Sequence, residues 1–201
     1  MPSVKSVQTR RAAPPSPYSY RVTAALATVI VLFLSTIVLV SYNQANRIPE
    51  NSGGASVPRT TKIPSLGLSV ATTAIQEQGA VLDPPADPQR AGWWAGGSMP
   101  GAREGTAIIT AHKIHGGGGA FDTLAKVKRG AIVTVDTEAG VQNYAVASIK
   151  NYNREEFAAK APELFRTDGE HRLVLITCYD WNGSDWDGNT VVVAEPGAAS
   201  M

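Results

Sequence analysis

The sequence predicts a mainly β protein, a closed or nearly closed barrel with short helices, preceded by one N-terminal transmembrane helix. Three observations carry this expectation. Short runs of β-branched and aliphatic residues recur between Gly- and Pro-rich punctuation, the pattern of many short strands. Helix is expected in only two brief stretches, too little to cover the faces of a purely parallel sheet. From Val22 to Val40 the chain carries no charge and no proline, close to the roughly 20 apolar residues a helix needs to cross the hydrocarbon core.

Taken in order, residues 1–21 hold Pro2, Pro14, Pro15 and Pro17 among small polar residues and read as a disordered cytoplasmic tail. Residues 22–41 read as the transmembrane helix. A cleaved signal peptide is the rival, but its apolar core usually runs only about 7–15 residues. Val40-Ser41-Tyr42 and Tyr42-Asn43-Gln44 offer no small-x-small cleavage site. Lys5, Arg10, Arg11 and Arg21 precede the apolar run, and no acidic residue occurs before Glu50. The basic flank therefore stays cytoplasmic and the remainder is exported, which gives a single-pass protein of the cell membrane with an extracellular domain. Residues 42–61, with Pro49, Ser52-Gly53-Gly54 and Pro58, read as a flexible stalk. The folded domain is placed at residues 62–197.

Inside that domain Leu66, Leu68 and Val70 alternate within Ile63 to Ile75, one bent strand or two short ones. Val81 to Gly101 is a long Pro/Gly/Trp-rich loop whose Trp93 and Trp94 are expected to pack on the first strands. Strands follow at Thr106 to Thr110, Ile132 to Asp136, Val141 to Ile149, Arg172 to Thr177 and Thr190 to Ala194. Short helices are expected at Phe121 to Val127 and at Glu155 to Phe165, the latter broken by Pro162.

Composition narrows the function. The 201 residues hold one ordinary domain plus an appendage, and a formal net charge of +1 gives no reason to expect nucleic acid as partner. The single cysteine, Cys178, has no intramolecular disulfide partner, and a lone exported thiol needs a reason to be there. Burial as a small apolar residue is one reason. The other is nucleophilic catalysis: Cys178 closes the run Leu173-Val174-Leu175-Ile176-Thr177, and His112 closes Thr106 to Ala111. A thiol and an imidazole at neighbouring strand ends make a cysteine nucleophile with its base. His115, in the Gly116 to Gly119 loop, is expected to be solvated. His171 lies seven residues before Cys178, about 23 Å along a straight strand, too far for proton transfer. No His/Cys/carboxylate cluster has metal-ligand spacing, so neither metal nor other cofactor is expected.

At these residues the chain resembles the sortases, membrane-anchored cysteine transpeptidases of Gram-positive cell surfaces. The resemblance rests on Thr106-Ala107-Ile108-Ile109-Thr110-Ala111-His112, on Leu175-Ile176-Thr177-Cys178, and on Thr190-Val191-Val192-Val193-Ala194. Ile63-Pro64-Ser65-Leu66-Gly67-Leu68, Gly92-Trp93-Trp94 with Gly96 and Pro100-Gly101, and Ala120-Phe121-Asp122-Thr123-Leu124 add to it. The set is most similar to the class F branch and covers roughly Lys62 to Pro196. It implies an eight-stranded β-barrel. It also implies cleavage of a Leu-Pro-x-Thr-Gly-like sorting signal, with Cys178 forming an acyl-thioester. His112 protonates the departing amine and then deprotonates an acceptor amine from a peptidoglycan precursor or a pilin lysine. The implied partners are surface proteins with a C-terminal sorting signal. The L,D-transpeptidases are set aside: their cysteine follows a Ser-x-Gly-type turn and precedes arginine, unlike Ile176-Thr177-Cys178-Tyr179.

One departure stands out. Sortases carry an arginine on the strand after the cysteine, but no Lys or Arg follows Cys178 here. Asn189 aligns at or beside that position; its rival role is an ordinary turn residue in Asp187-Gly188-Asn189. Arg103 and Arg166 are the arginines that loops could bring in, whereas Arg172 is about 20 Å up the strand. Thr177, beside the nucleophile, and Trp181 and Trp186 are expected on the substrate-binding side, the indoles facing the Leu-Pro portion or else closing the barrel end. Asp180, Asp185 and Asp187 read as a solvated acidic loop. The missing arginine leaves two further readings, a hydrolase using the same Cys/His pair and a catalytically inactive peptide-binding barrel.

Overall fold

The computed structural model describes residues 34, 36–38, 51–79 and 81–197. The chain divides into two compact units, Met1–Arg47 and Ile48–Met201. In the first, Leu34 and Thr36 to Val38 are helical. The rest of the expected transmembrane helix, and the cytoplasmic tail, lie outside the described residues, among which no helix is long and apolar enough to cross a membrane.

The second unit is built on eight strands: β1 (Pro58–Ile63), β2 (Leu68–Ile75), β3 (Ala91–Trp94), β4 (Thr106–Ala111), β5 (Ile132–Thr137), β6 (Val141–Asn153), β7 (Arg172–Trp181) and β8 (Trp186–Pro196). They close into a barrel in the order β1-β2-β3-β4-β7-β8-β6-β5. The pairs β2–β3 and β4–β7 are parallel and the others antiparallel. Closure leaves no free sheet edge, which suits a domain with so little helix.

Strand alternation sorts the apolar side chains into two cores. Ala107, Ile109, Ala111, Leu173, Leu175, Val192 and Ala194 belong to the cluster inside the barrel, with Ile63, Phe121, Val133 and Tyr144. The intervening residues Ile108, Val174, Ile176 and Val191 point outward into a second cluster with Leu164, joined by Trp94, Phe157 and Phe165. That outer cluster exists because α1 (Arg154–Leu164) lies over the strands. The helix begins with a capping box, in which Glu156 N–H donates to Asn153 Oδ1 (2.8 Å) and Asn153 N–H to Glu156 Oε2 (3.0 Å). Pro162 stays within its last turns, where only one hydrogen bond is lost before the helix ends.

Several expectations are corrected. Four residues of the segment read as stalk, Pro58 to Thr61, are part of β1. Ser52, upstream of them, exchanges bonds with Val141, giving its N–H to the Val141 carbonyl (2.8 Å) and accepting Val141 N–H on Oγ (3.0 Å). Gly53 is required there, with φ +79° and the Ala139 carbonyl where a Cβ would stand. This attachment uses polar and backbone groups, so no apolar pattern announces it. The Val81 to Gly101 loop contains β3, a four-residue strand too short to show a period. Of the two forms expected for Ile63 to Ile75, the structure has two strands, joined by a 3-10 turn at Pro64–Leu66 with Gly67 left-handed (φ 63°). The expected helix at Phe121 to Val127 is only a 3-10 turn, Leu124–Lys126.

Candidate active site

Two side chains are directly opposed on neighbouring strands, and a third residue follows the end of the strand next to them. Thr110 of β4 is level with Ile176 of β7 in the parallel ladder. Continued two residues, the register sets His112 beside Cys178. Across the antiparallel ladder Cys178 is the direct partner of Asn189 on β8. Cys178 and Asn189 share the outward face, since Ile176 and Val191 on the same alternation lie in the outer cluster, and His112 follows the end of β4, four residues after the outward Ile108. Adjacent strands are about 4.8 Å apart and directly opposed Cβ atoms of an antiparallel pair about 4.5–5.5 Å, so the Asn189 amide flanks Cys178, while on the β4 side the Lys113 backbone N–H, next after His112, bonds the thiol.

Buried hydroxyls pin the register. Thr110 Oγ1 donates to the Ile176 carbonyl (3.2 Å), and Thr177 Oγ1 to the Ala111 carbonyl (2.8 Å). Thr177 is 2% exposed. Its hydroxyl thus ties β7 to β4 rather than offering itself to a ligand.

Cys178 is a free, half-buried thiol. Burial pushes its pKa above the ordinary value and Asp185 adds to this. A hydrogen bond from the Lys113 backbone N–H and the Lys113 charge pull it back. The first effect is the largest, so the resting thiol is protonated near neutral pH, and nucleophilic attack by it would need a base.

Beside Cys178 runs a groove of about 700 Å³ on the outer barrel face, its wall including Trp94, Phe157, Phe165 and Ile176. Thr177, Cys178 and Asn189 also contribute to the wall. Trp94 packs edge-on to Phe165 (centroids 5.3 Å apart) and its indole N–H donates to Glu77. This corrects the expectation for the tryptophan pair: Trp93 is 3% exposed within the barrel, but Trp94 faces the groove. Two successive residues of a strand must point oppositely, and that signal was available in the Trp93-Trp94 doublet.

Trp181 and Trp186 are not part of the groove wall. They face each other near the end of the β7–β8 hairpin (centroids 5.3 Å apart). His115, expected to be solvated, stacks on Trp181 at 5.1 Å and 18°, while Lys113 Nζ stands 5.2 Å from the Trp186 ring centroid. The loop after His112 and this hairpin thus clasp each other off the groove wall. The hairpin tip is held by Asn182 Oδ1, which accepts from Ser184 N–H, Ser184 Oγ–H and Asp185 N–H. Arg154 at the start of α1 pairs with Asp185 and donates to the Trp186 carbonyl. The acidic loop is therefore partly neutralised by Arg154.

The reading of Asn189 as a turn residue is corrected, because it sits inside β8, paired with both Cys178 and Tyr152. No Lys or Arg is among the described residues lining the groove. Arg166 donates to the Asp168 and Glu170 carbonyls. Arg172 donates to Thr106 Oγ1 and the Glu163 carbonyl at the opposite end of β7. His171 is a structural residue: Nδ1–H donates to the Gly105 carbonyl (3.0 Å), and Nε2 accepts from the Tyr144 hydroxyl (3.0 Å). Among the described residues no group of three or more His, Cys, Asp or Glu side chains is gathered to hold a metal ion.

Comparison with known proteins adds to this geometry. A family model described as Sortase domain matches residues 61–197. The solved structure of "Sortase C1 of GBS Pilus Island 1" superimposes with a TM-score of 0.56 at 21% identity, covering 71% of this chain and 64% of that one. Sortase C-1 from Actinomyces oris gives 0.54 at 21% identity, covering 71% and 73%. Sortase A from Corynebacterium diphtheriae gives 0.56 at 18%, covering 73% and 63%. The chain thus spans less than two thirds of the length of the first and the last of these, and at such identities the likeness establishes the fold. A search of the curated proteins finds none that matches the chain.

Proposed function

The chain belongs to the sortase family, and from that premise we propose that it is a membrane-anchored cysteine transpeptidase. It cleaves a Leu-Pro-x-Thr-Gly-like sorting signal and joins the acyl portion to an amine of a peptidoglycan precursor or a pilin. The observation that carries this reading is the opposition of Cys178 and Asn189 on one face, with His112 following the end of the neighbouring strand and an apolar groove opening at Cys178 and Asn189. The likeness to the pilus-island sortase supports a pilin as one acceptor, and the motifs quoted above support class F.

The groove receives the apolar Leu-Pro stretch against Trp94, Phe157 and Phe165. Cys178 Sγ attacks the threonine carbonyl carbon while His112 takes the thiol proton, a step made necessary by the raised thiol pKa. Collapse of the tetrahedral adduct breaks the C–N bond, and His112–H⁺ gives its proton to the departing glycine amine. An acceptor amine then attacks the thioester, losing its proton to His112, and the peptide bond forms as the Cys178 sulfur leaves. Asn189 and backbone N–H groups hold the oxyanion in both steps. The N-terminal apolar run supports anchoring in the cell membrane, N-terminus cytoplasmic and barrel extracellular.

Incubating the protein with a Leu-Pro-x-Thr-Gly peptide, with and without an amine, tests the reading by mass spectrometry. An acyl adduct on Cys178 that is resolved by the amine is expected, and is absent from Cys178→Ala. Turnover indifferent to the amine gives the hydrolase instead. No adduct, despite folded protein, gives the inactive binding barrel and overturns the proposal.

A further inference from the structure

The loop that carries His112 leaves β4 as Lys113-Ile114-His115-Gly116-Gly117-Gly118-Gly119. Four consecutive glycines cannot hold a geometry by themselves, since glycine loses the most conformational freedom on ordering. The histidine and the Lys113 amide nonetheless stand at fixed places beside Cys178. The Asp122 carboxylate supplies the missing constraint. Oδ1 accepts Ile114 N–H at 2.8 Å and Oδ2 accepts Gly119 N–H at 3.0 Å. One side chain thus grips both flanks of the glycine run. The chain then returns to the histidine, because Phe121 N–H donates to the His112 carbonyl at 3.0 Å. Phe121 is fully buried in the barrel, so this closing bond is anchored in the core. Gly119 passes so near that an added Cβ would lie 2.5 Å from the His112 carbonyl oxygen and 2.6 Å from Asp122 Oδ1. Charge-assisted bonds from a carboxylate to backbone N–H groups are the strong kind.

We propose that Asp122 is a positioning residue of the active site: its two-oxygen grip on the loop sets the His112–Lys113 segment against the Cys178 sulfur. It touches neither thiol nor groove and acts only through the segment it closes. The proposal rests on Cys178 being the nucleophile, but its readout needs no substrate.

The charged groups acting on Cys178 are Lys113 from the loop and Asp185 from the hairpin, the last paired with Arg154; His112 directly precedes Lys113. Of these, Lys113 is the one that pulls the thiol pKa down, by its N–H and by its charge. The experiment is the pH profile of Cys178 alkylation by iodoacetamide in wild type, Asp122→Ala and the near-isosteric Asp122→Asn, each with its Tm. Asn keeps one acceptor oxygen and turns an NH₂ toward the second amide, so it fills the space but opens half of the grip. The midpoint is expected to move to higher pH in both variants, further in Ala, and peptide cleavage to fall by up to about 10²-fold, the cost of a misplacement of about 1 Å. A purely structural role would lower the Tm but leave the alkylation midpoint in place. A wild-type midpoint in folded Asp122→Asn overturns the proposal whatever the peptide assay reports. A shifted midpoint with no peptide cleaved by any form keeps it and sinks only the substrate assignment.

Discussion

Asn189→Ala isolates the contribution of the residue opposite Cys178. Asn189 and Cys178 are direct partners across β7–β8, so their Cβ atoms are about 4.5–5.5 Å apart. A carboxamide at that distance reaches the oxygen of a carbonyl bonded to Sγ. No lysine or arginine is among the described groove residues, which leaves backbone N–H groups as the other donors. Removal of one oxyanion donor typically lowers kcat about 10²–10³-fold, or about 2.7–4 kcal/mol of barrier. Stability should move far less, within about 0.5 kcal/mol, because the strand ladders use the backbone and the side chain is half exposed. Acylation is followed by rapid quench and intact-mass spectrometry of the Cys178 adduct, alongside thermal melts. Asn189→Asp keeps the shape, loses the donor and adds negative charge, so it should acylate no faster than the alanine variant. Acylation of Asn189→Ala within twofold of wild type would refute the reasoning and move the oxyanion site to the backbone alone.

Other substitutions probe the frame and the groove. Thr177→Val removes the buried hydroxyl bonded to the Ala111 carbonyl and should destabilise by about 1–3 kcal/mol, read as a fall of several degrees in Tm. Trp94→Ala takes an indole from the groove and from its contact with Phe165. The lost apolar burial, about 1.5–3 kcal/mol, should lower kcat/KM for the peptide about 10- to 100-fold, while the rate of Cys178 alkylation stays level. His171 predicts a pH effect on stability. Burial holds its pKa below the ordinary value, against the pull of its backbone bonds. The unfolded chain therefore binds a proton at a higher pH than the folded one, and stability is full above the ordinary histidine pKa. It declines as pH falls from there to the folded pKa. Urea titrations across that window should show the slope in wild type, and its loss in His171→Phe would confirm the source.

The strands of this barrel are legible wherever alternation runs long enough. Arg172 to Thr177 and Thr190 to Ala194 are buried on both faces, inside the barrel and under α1, so they appear as near-continuous apolar runs. The roles of Cys178 and His112 were suggested by residue type and strand-end position, because a thiol and an imidazole carry their chemistry in the side chain itself. β3 and the attachment of Ser52 were not legible. One is too short to show a period, and the other is made of polar groups that bond distant backbone.

By itself, then, the sequence determined the class of fold and singled out a lone thiol and a strand-end imidazole as candidates, since alternation, turn chemistry and a unique thiol are local properties. Tertiary structure alone decided the rest. Long-range register brought Asn189 opposite Cys178 and turned Trp94 into the groove. It also left Trp181 and Trp186 off the groove wall. Pairing between strands far apart in the chain depends on how the whole barrel closes, and one residue of slip would send each of those side chains to the opposite face.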